Sequence, residues 1–188
     1  MAVADEVLVA KSMVDRDTRA FDALVRRYQS RVRGWLRHLA GDAALADDLA
    51  QETFMQAWRK LATFRSKGSF EAWLLTIARN QFLQNRRKVA REAGHLTRLK
   101  SETDSATLNI EADRYEGEEN DVERYMEVLN HDERNVMILV YGVGLSHGET
   151  SKVSGLPLGT VKSHIRRSVG KIREQFKLES YTDDEHTK

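Results

Sequence analysis

Apolar residues at spacings of three and four recur along this 188-residue chain, and no stretch alternates with the period of a strand. The clearest case is Leu158–Phe176, where Val161, Ile165, Val169, Ile172 and Phe176 mark one face of a helix. The other side carries Ser163, Arg166 and Arg167, flanked by Lys162 and Arg173. A shorter helix signal precedes it, and Ser154-Gly155-Leu156-Pro157 puts a glycine where the chain must turn between the two. That is the pattern of a helix-turn-helix whose second helix enters the major groove of DNA.

Upstream, the same periodicity predicts a short helix over Asp5–Val14, broken around Asp15-Arg16-Asp17. The next stripe runs through Phe21, Leu24, Val25, Tyr28, Val32, Leu36 and Leu39 and stops at Gly41-Asp42. A third helix is predicted over about 44–62 and a fourth over about 70–91, separated by the small, basic, turn-forming loop 64–69. Over 93–121 the apolar period disappears and acidic and small polar residues accumulate, which predicts an extended or partly disordered linker. Asn130-His131-Asp132-Glu133 suits a capping box ahead of the apolar run 136–141, expected as a helix apolar on all sides at the centre of a small core. Ser146-His147-Gly148-Glu149 offers a second capping box at the start of the helix-turn-helix. The expected fold is all-α, with a four-helix domain at 1–92, an acidic linker at 93–121, a helix-turn-helix domain at 122–178 and a polar tail at 179–188.

The net charge of +1 conceals a segregation of sign. Residues 1–92 hold 17 Lys and Arg against 11 Asp and Glu, residues 93–129 hold 4 against 10, and residues 130–178 hold 8 against 4. Two basic blocks separated by an acidic one suggest two nucleic-acid-facing modules on a polar linker. The chain has no cysteine, and its six histidines are scattered without ligand spacing, so no metal site or cofactor is expected. No nucleophile–base arrangement or phosphate-cradling glycine loop points to an enzyme. The N-terminus is too acidic for a signal peptide and no segment reaches the ~20 apolar residues of a membrane span, so a cytoplasmic protein without membrane insertion is expected.

Two helical faces fall outside the expected core. On the third helix Asp48, Gln51, Glu52, Met55 and Arg59 lie together, opposite Leu49, Thr53 and Ala57. A solvated face and a docking surface for a basic partner both fit that composition. On the fourth helix Leu74, Ile77, Ala78 and Phe82 make the buried side, while Trp73, Thr76, Asn80, Leu83 and Arg87 lie elsewhere. An aromatic, an amide and an arginine on one face suit unpaired nucleic acid, although Trp73 also fits plain core.

These residues resemble one family. Ala46-Asp47-Asp48-Leu49-Ala50-Gln51-Glu52-Thr53-Phe54, followed by Ala57-Trp58, is similar to the core-binding motif of bacterial sigma factors. Phe70-Glu71-Ala72-Trp73-Leu74-Leu75-Thr76-Ile77-Ala78-Arg79-Asn80 resembles their promoter-melting helix, and Gly155-Leu156-Pro157-Leu158-Gly159-Thr160-Val161-Lys162-Ser163 their second DNA-binding module. The size and layout point to the extracytoplasmic-function (ECF) group. The resemblance implies that Asp48, Gln51, Glu52 and Met55 bind the clamp helices of the largest subunit of core RNA polymerase. It implies that Arg65, Lys67, Ser69, Trp73, Asn80 and Arg87 capture the melted −10 promoter element, and that Thr160, Lys162, Ser163, Arg166 and Arg167 read the −35 element. An anti-sigma factor is a further expected partner, and the acidic linker is expected to thread the polymerase channels of template and RNA. The alternative is a stand-alone helix-turn-helix regulator of the response-regulator type, which Thr160-Val161-Lys162-Ser163-His164 also resembles. That alternative requires a receiver of alternating strands and helices where 1–92 predicts four helices. One departure from the family pattern concerns the first helix of the helix-turn-helix. Thr150-Ser151 and Ser154 stand at its usual alanine-rich core, and Gly148 inside it costs ~1 kcal/mol relative to alanine. A less stable C-terminal module is the expected consequence.

Overall fold

The computed structural model describes residues 3–14, 16–65, 68–99 and 121–177, which fall into two compact units divided at 114/115. Lys67, positions 100–120 of the expected linker and the expected tail 179–188 lie outside the described residues. No strand occurs among the described residues, and none of their helices is long and apolar enough to cross a membrane.

The first unit contains α1 (Asp5–Val14), α2 (Thr18–Ala40), α3 (Ala43–Lys60) and α4 (Phe70–Leu99), with one 3₁₀ turn at Leu61–Thr63. The Asp17 carboxylate opens α2 by accepting from the Arg19 and Ala20 N–H groups at 2.9 and 3.3 Å. Gly41 closes it at φ 69°, a conformation open to glycine, and donates to the Arg37 carbonyl at 2.9 Å. Helix α2 packs against α1, α3 and α4 together. Leu24, Val32 and Leu36 are accordingly sealed, and so is Trp35, which the predicted stripe omits. Three neighbours cover more of the circumference than a single stripe, although Val25 stays half-buried.

Helix α4 continues to Leu99, eight residues past the predicted end and into the segment assigned to the linker. The apolar period fades there, but Ala, Leu and Arg are still good helix formers, and propensity persists where amphipathicity does not.

The second unit contains α5 (Asp121–Glu127), α6 (His131–Met137), α7 (His147–Ser154) and α8 (Leu158–Phe176). Both predicted capping boxes form, Asn130 with Glu133 and Ser146 with Glu149. The run 136–141 is not one α-helix. After Met137 it widens into a single π turn, Ile138–Gly142, in which the Val143 N–H donates to the Ile138 carbonyl at 2.8 Å. Val136, Met137 and Leu139 are buried, but the wider turn leaves Tyr141 62% exposed, so the run is not buried all round.

Helix α8 also packs on a face rotated from the predicted one. Val161, His164 and Ser168 are buried, whereas Ile165, Val169, Ile172 and Phe176 are half-buried. The helix has two sets of neighbours: α6 and α7 on one side, and α5 on the other, where Tyr125 meets Phe176 edge-to-face at 4.7 Å. Glu133 of α6, 1% exposed, ties the unit together. Its Oε2 accepts from the Asn130 N–H at 3.1 Å and from Lys171 Nζ of α8 at 2.7 Å. Burial pushes this carboxyl upward, but the bonds from Lys171 and Asn130 and the charges of Lys171 and Arg167 prevail, holding it below the usual glutamate range.

A depressed carboxyl stabilises the fold above the unfolded-state glutamate value of ~4.3 and loses that contribution as pH falls through its own lower value. Glu133→Gln is therefore expected to lower the thermal midpoint at pH 7. The gap from the parent protein should close below pH 4, as read by circular dichroism melts across the range.

Candidate nucleic-acid interface

Adjacent aspartates on α3 have different surroundings because successive helical residues diverge by about 100°. Asp47 faces α2, with Arg33 Nε at 3.5 Å and Arg37 Nη2 at 3.8 Å. Asp48 turns to solvent and makes no ion pair among the described residues. Gln51 and Met55 are exposed beside it. Glu52 is half-buried; it accepts from Gln56 Nε2 at 2.9 Å and has Arg59 Nη1 at 3.9 Å.

Two concavities border this arc. A groove of about 980 Å³ between α3 and α4 has Asp48 and Glu52 on one wall and Arg87, Lys88 and Arg91 on the other. Met55 lines a smaller apolar hollow of about 290 Å³ with Phe21, Val25, Phe54 and Trp58. The structure thus brings Asp48 and Glu52 together with Arg87, a residue assigned from the sequence to a different partner, while Met55, on the same exposed arc, borders the second hollow.

At the start of α4 the aromatic rings form a platform. Phe64 meets Phe70 edge-to-face at 5.7 Å, and Trp73 lies 5.5 Å from both, half-buried at the edge of the cluster. Tyr28 of α2 extends it, 5.7 Å from Phe70. Because Phe64 and Phe70 touch, they close the base of the loop between them. Arg65 is exposed on that loop, while the Ser69 hydroxyl accepts from the Ala72 N–H at 3.2 Å and so caps α4. Trp73, Asn80 and Arg87 recur every seven residues and fall on one stripe about 21 Å long, at 1.5 Å per residue. Asn80 and Arg87 are exposed. Trp73, Asn80 and Arg87 therefore form a track with an aromatic head and a basic end.

Sequence reasoning misses the ties that hold this platform. Glu71 in the first turn of α4 is buried, and Arg31 Nη1 of α2 donates to both of its oxygens at 3.0 Å. Asp5 of α1 accepts from Arg27 and from the Tyr28 hydroxyl, while Arg27 Nη2 also donates to the Val3 carbonyl at 2.7 Å. Burial and the Asp5 carboxylate push the Tyr28 hydroxyl far above the usual phenol range. The partners in these ties lie 22 to 40 residues apart, so no local spacing marks them.

In the second unit Gly155 turns the chain at φ 71° between α7 and α8. The serines that depart from the alanine pattern hold this turn. Ser151 Oγ donates to the Leu156 carbonyl at 2.6 Å, and Ser154 Oγ accepts from the Leu156 N–H at 3.3 Å. Thr150, fully buried, leaves its hydroxyl without a partner among the described residues, a cost in so small a core. On α8, Lys162, Arg166 and Arg167 are exposed, and Thr160 and Ser163 are half-buried.

A family model described as Sigma-70 region 2 matches residues 24–92, and one described as Sigma-70, region 4 matches residues 125–174. The chain is 31% identical to the ECF RNA polymerase sigma factor EcfG of Rhodopseudomonas palustris over 75% of its length and 76% of that protein's. It is 32% identical to the ECF RNA polymerase sigma factor SigC of Mycobacterium tuberculosis, over 85% of each. The chain belongs to the ECF sigma factors. Its function is promoter recognition and transcription initiation, and sigma factors are initiation factors, not enzymes. The solved sigma factor RpoE of Bartonella quintana, in complex with the anti-sigma factor NepR, is 26% identical at a TM-score of 0.62, covering 85% of this chain and 98% of that one. CnrH, solved with the cytosolic domain of CnrY, is 25% identical at the same TM-score and covers 95% and 100%. The stand-alone regulator is not favoured: no strand occurs among the described residues of the first unit, and residues 24–92 match sigma region 2.

The Arg31–Glu71 tie yields one expectation. Arg31→Ala removes the guanidinium from a buried carboxylate and is expected to destabilise the protein by about 1–2 kcal/mol. Urea unfolding of the full chain measures it.

Proposed function

We propose that this sigma factor docks on the clamp helices of core RNA polymerase through the α3 arc of Asp48, Gln51, Glu52 and Met55. The observation that carries this reading is the contrast between Asp47, engaged by two arginines of α2, and Asp48, which faces solvent without an ion pair among the described residues. An unpaired acidic group beside an exposed methionine offers a basic, partly apolar partner both charge and adaptable contact.

The melted −10 strand runs along α4. Arg65, Ser69 and Trp73 stand at its aromatic head, Asn80 midway and Arg87 at its basic end, and Lys67 joins them in holding the strand. Stacking on an aromatic platform supplies about 1–3 kcal/mol per base, and the arginines neutralise phosphate. Helix α8 reads the −35 element, with Arg166 and Arg167 contacting bases or phosphates, Lys162 phosphate, and Thr160 and Ser163 completing the contact. Residues 1–92 serve polymerase and −10 binding and residues 122–178 serve −35 binding, with the acidic segment between them threading the polymerase channels. The protein acts in the cytoplasm, without cofactor or catalysis of its own, and an anti-sigma protein restrains it; the likeness to RpoE, solved with NepR, supports this last point.

Run-off transcription from a genomic fragment library, with bacterial core polymerase with and without the protein, tests the whole. Discrete new transcripts sharing sequence near −35 and −10 are expected; their absence with folded protein and cognate core overturns it. Asp48→Arg is expected to weaken core binding about tenfold, in the range of single interfacial charge changes, with an unchanged circular dichroism spectrum. A competition assay against labelled sigma factor reads the affinity. Arg166→Ala is expected to reduce transcription from −35-dependent promoters about five- to tenfold while leaving core affinity unchanged.

A further inference from the structure

Two basic residues of α8 that face solvent differ in what surrounds them. Arg166 makes no hydrogen bond or ion pair among the described residues. Arg167, one position on, donates from Nη2 to Nδ1 of His164 at 3.3 Å. A guanidinium has no acceptor atom, so Nδ1 is the acceptor in this contact. His164 itself is 8% exposed, set into the core on the same side of α8 as the fully buried Val161 and Ser168. The imidazole is thus a buried acceptor beneath an exposed side chain. On α6, Glu133 lies close enough for the Arg167 charge to act on it, and it is itself held by Lys171 and Asn130.

An exposed arginine ordinarily samples many rotamers and loses that freedom when it binds a base or phosphate. A side chain already aimed by a buried acceptor loses less. We infer that His164 is a positioning residue for promoter recognition, which holds the Arg167 guanidinium in the orientation that reads the −35 element. The inference rests on the assignment of α8 to that element. It gives a function to a histidine that the sequence pattern leaves among scattered packing residues, and it makes Arg167 a pre-aligned contact beside the unrestrained Arg166.

The test uses holoenzyme formed from the full chain and core polymerase. The probes are a fluorescein-labelled promoter fragment recovered by run-off transcription and the same fragment with its −35 region scrambled; the readout is the ratio of the two affinities. His164→Leu fills the cavity without offering an acceptor, whereas His164→Asn returns an amide oxygen near the place of Nδ1. His164→Leu is expected to lower the discrimination ratio about fivefold, the size of one net hydrogen bond, and His164→Asn to recover most of it. In an Arg167→Ala background His164→Leu is expected to cause no further loss. An undiminished ratio in His164→Leu overturns the inference. So does an equal loss with and without Arg167, or a failure of asparagine to rescue, since either marks a packing role. If Arg166→Ala and Arg167→Ala both leave the ratio unchanged, the −35 assignment of α8 itself fails, an outcome separate from loss of the His164 coupling alone.

Discussion

A helix that must present one face to a partner has only the rest of its circumference with which to be held. In the first unit that constraint falls on α2, against which α1, α3 and α4 all pack. Apolar burial of Leu24, Val32, Trp35 and Leu36 supplies the bulk of the attachment but is non-directional. Orientation comes from charged ties near the ends of the neighbouring helices: Asp5 holding α1, Asp47 holding α3 and Glu71 holding α4. Each joins a carboxylate in the first half of one helix to an arginine of α2, a placement that also suits the helix dipole. Long faces of α3 and α4 therefore stay free for other molecules.

The second unit meets the same requirement with fewer apolar groups. Its core mixes Val136, Leu139, Val153 and Val161 with buried Glu133, Thr150, His164 and Ser168. Polar groups in a small core destabilise unless they are hydrogen-bonded, and most of the weight here rests on one carboxylate. Glu133 serves two functions, closing the cap of α6 and receiving Lys171 from α8. The turn before α8 is held in a similar way, by hydroxyls of Ser151 and Ser154 where tighter apolar packing is absent.

Much of this architecture was legible in the amino-acid pattern, and the failures have physical causes. The bounds of α8 follow from its apolar spacing and from Gly155 and Pro157 before it, because caps and breakers are local chemistry. The continuation of α4 to Leu99 was not legible, since the apolar period ends before it and helix propensity alone is a weaker signal. The exposed arc of α3 was correctly placed, but the contrast between Asp47 and Asp48 depends on where α2 lies. Glu133 showed itself as a capping residue; its pairing with Lys171, 38 positions on, is visible only when α6 meets α8. Likewise the capping of α4 by Ser69 needs the helix start, and the rotation of the packed face of α8 needs α5 on its far side.

The separation of holding residues from presenting residues has an evolutionary consequence. On α8 the side chains that attach the helix, Val161, Ser168 and Lys171, are distinct from Lys162 and Arg166, which point outward. Substitutions at the outward positions leave the buried set untouched, so their effect on stability is small. A duplicated copy of such a gene can then drift toward a different set of target sequences in single steps, each of which yields a folded protein.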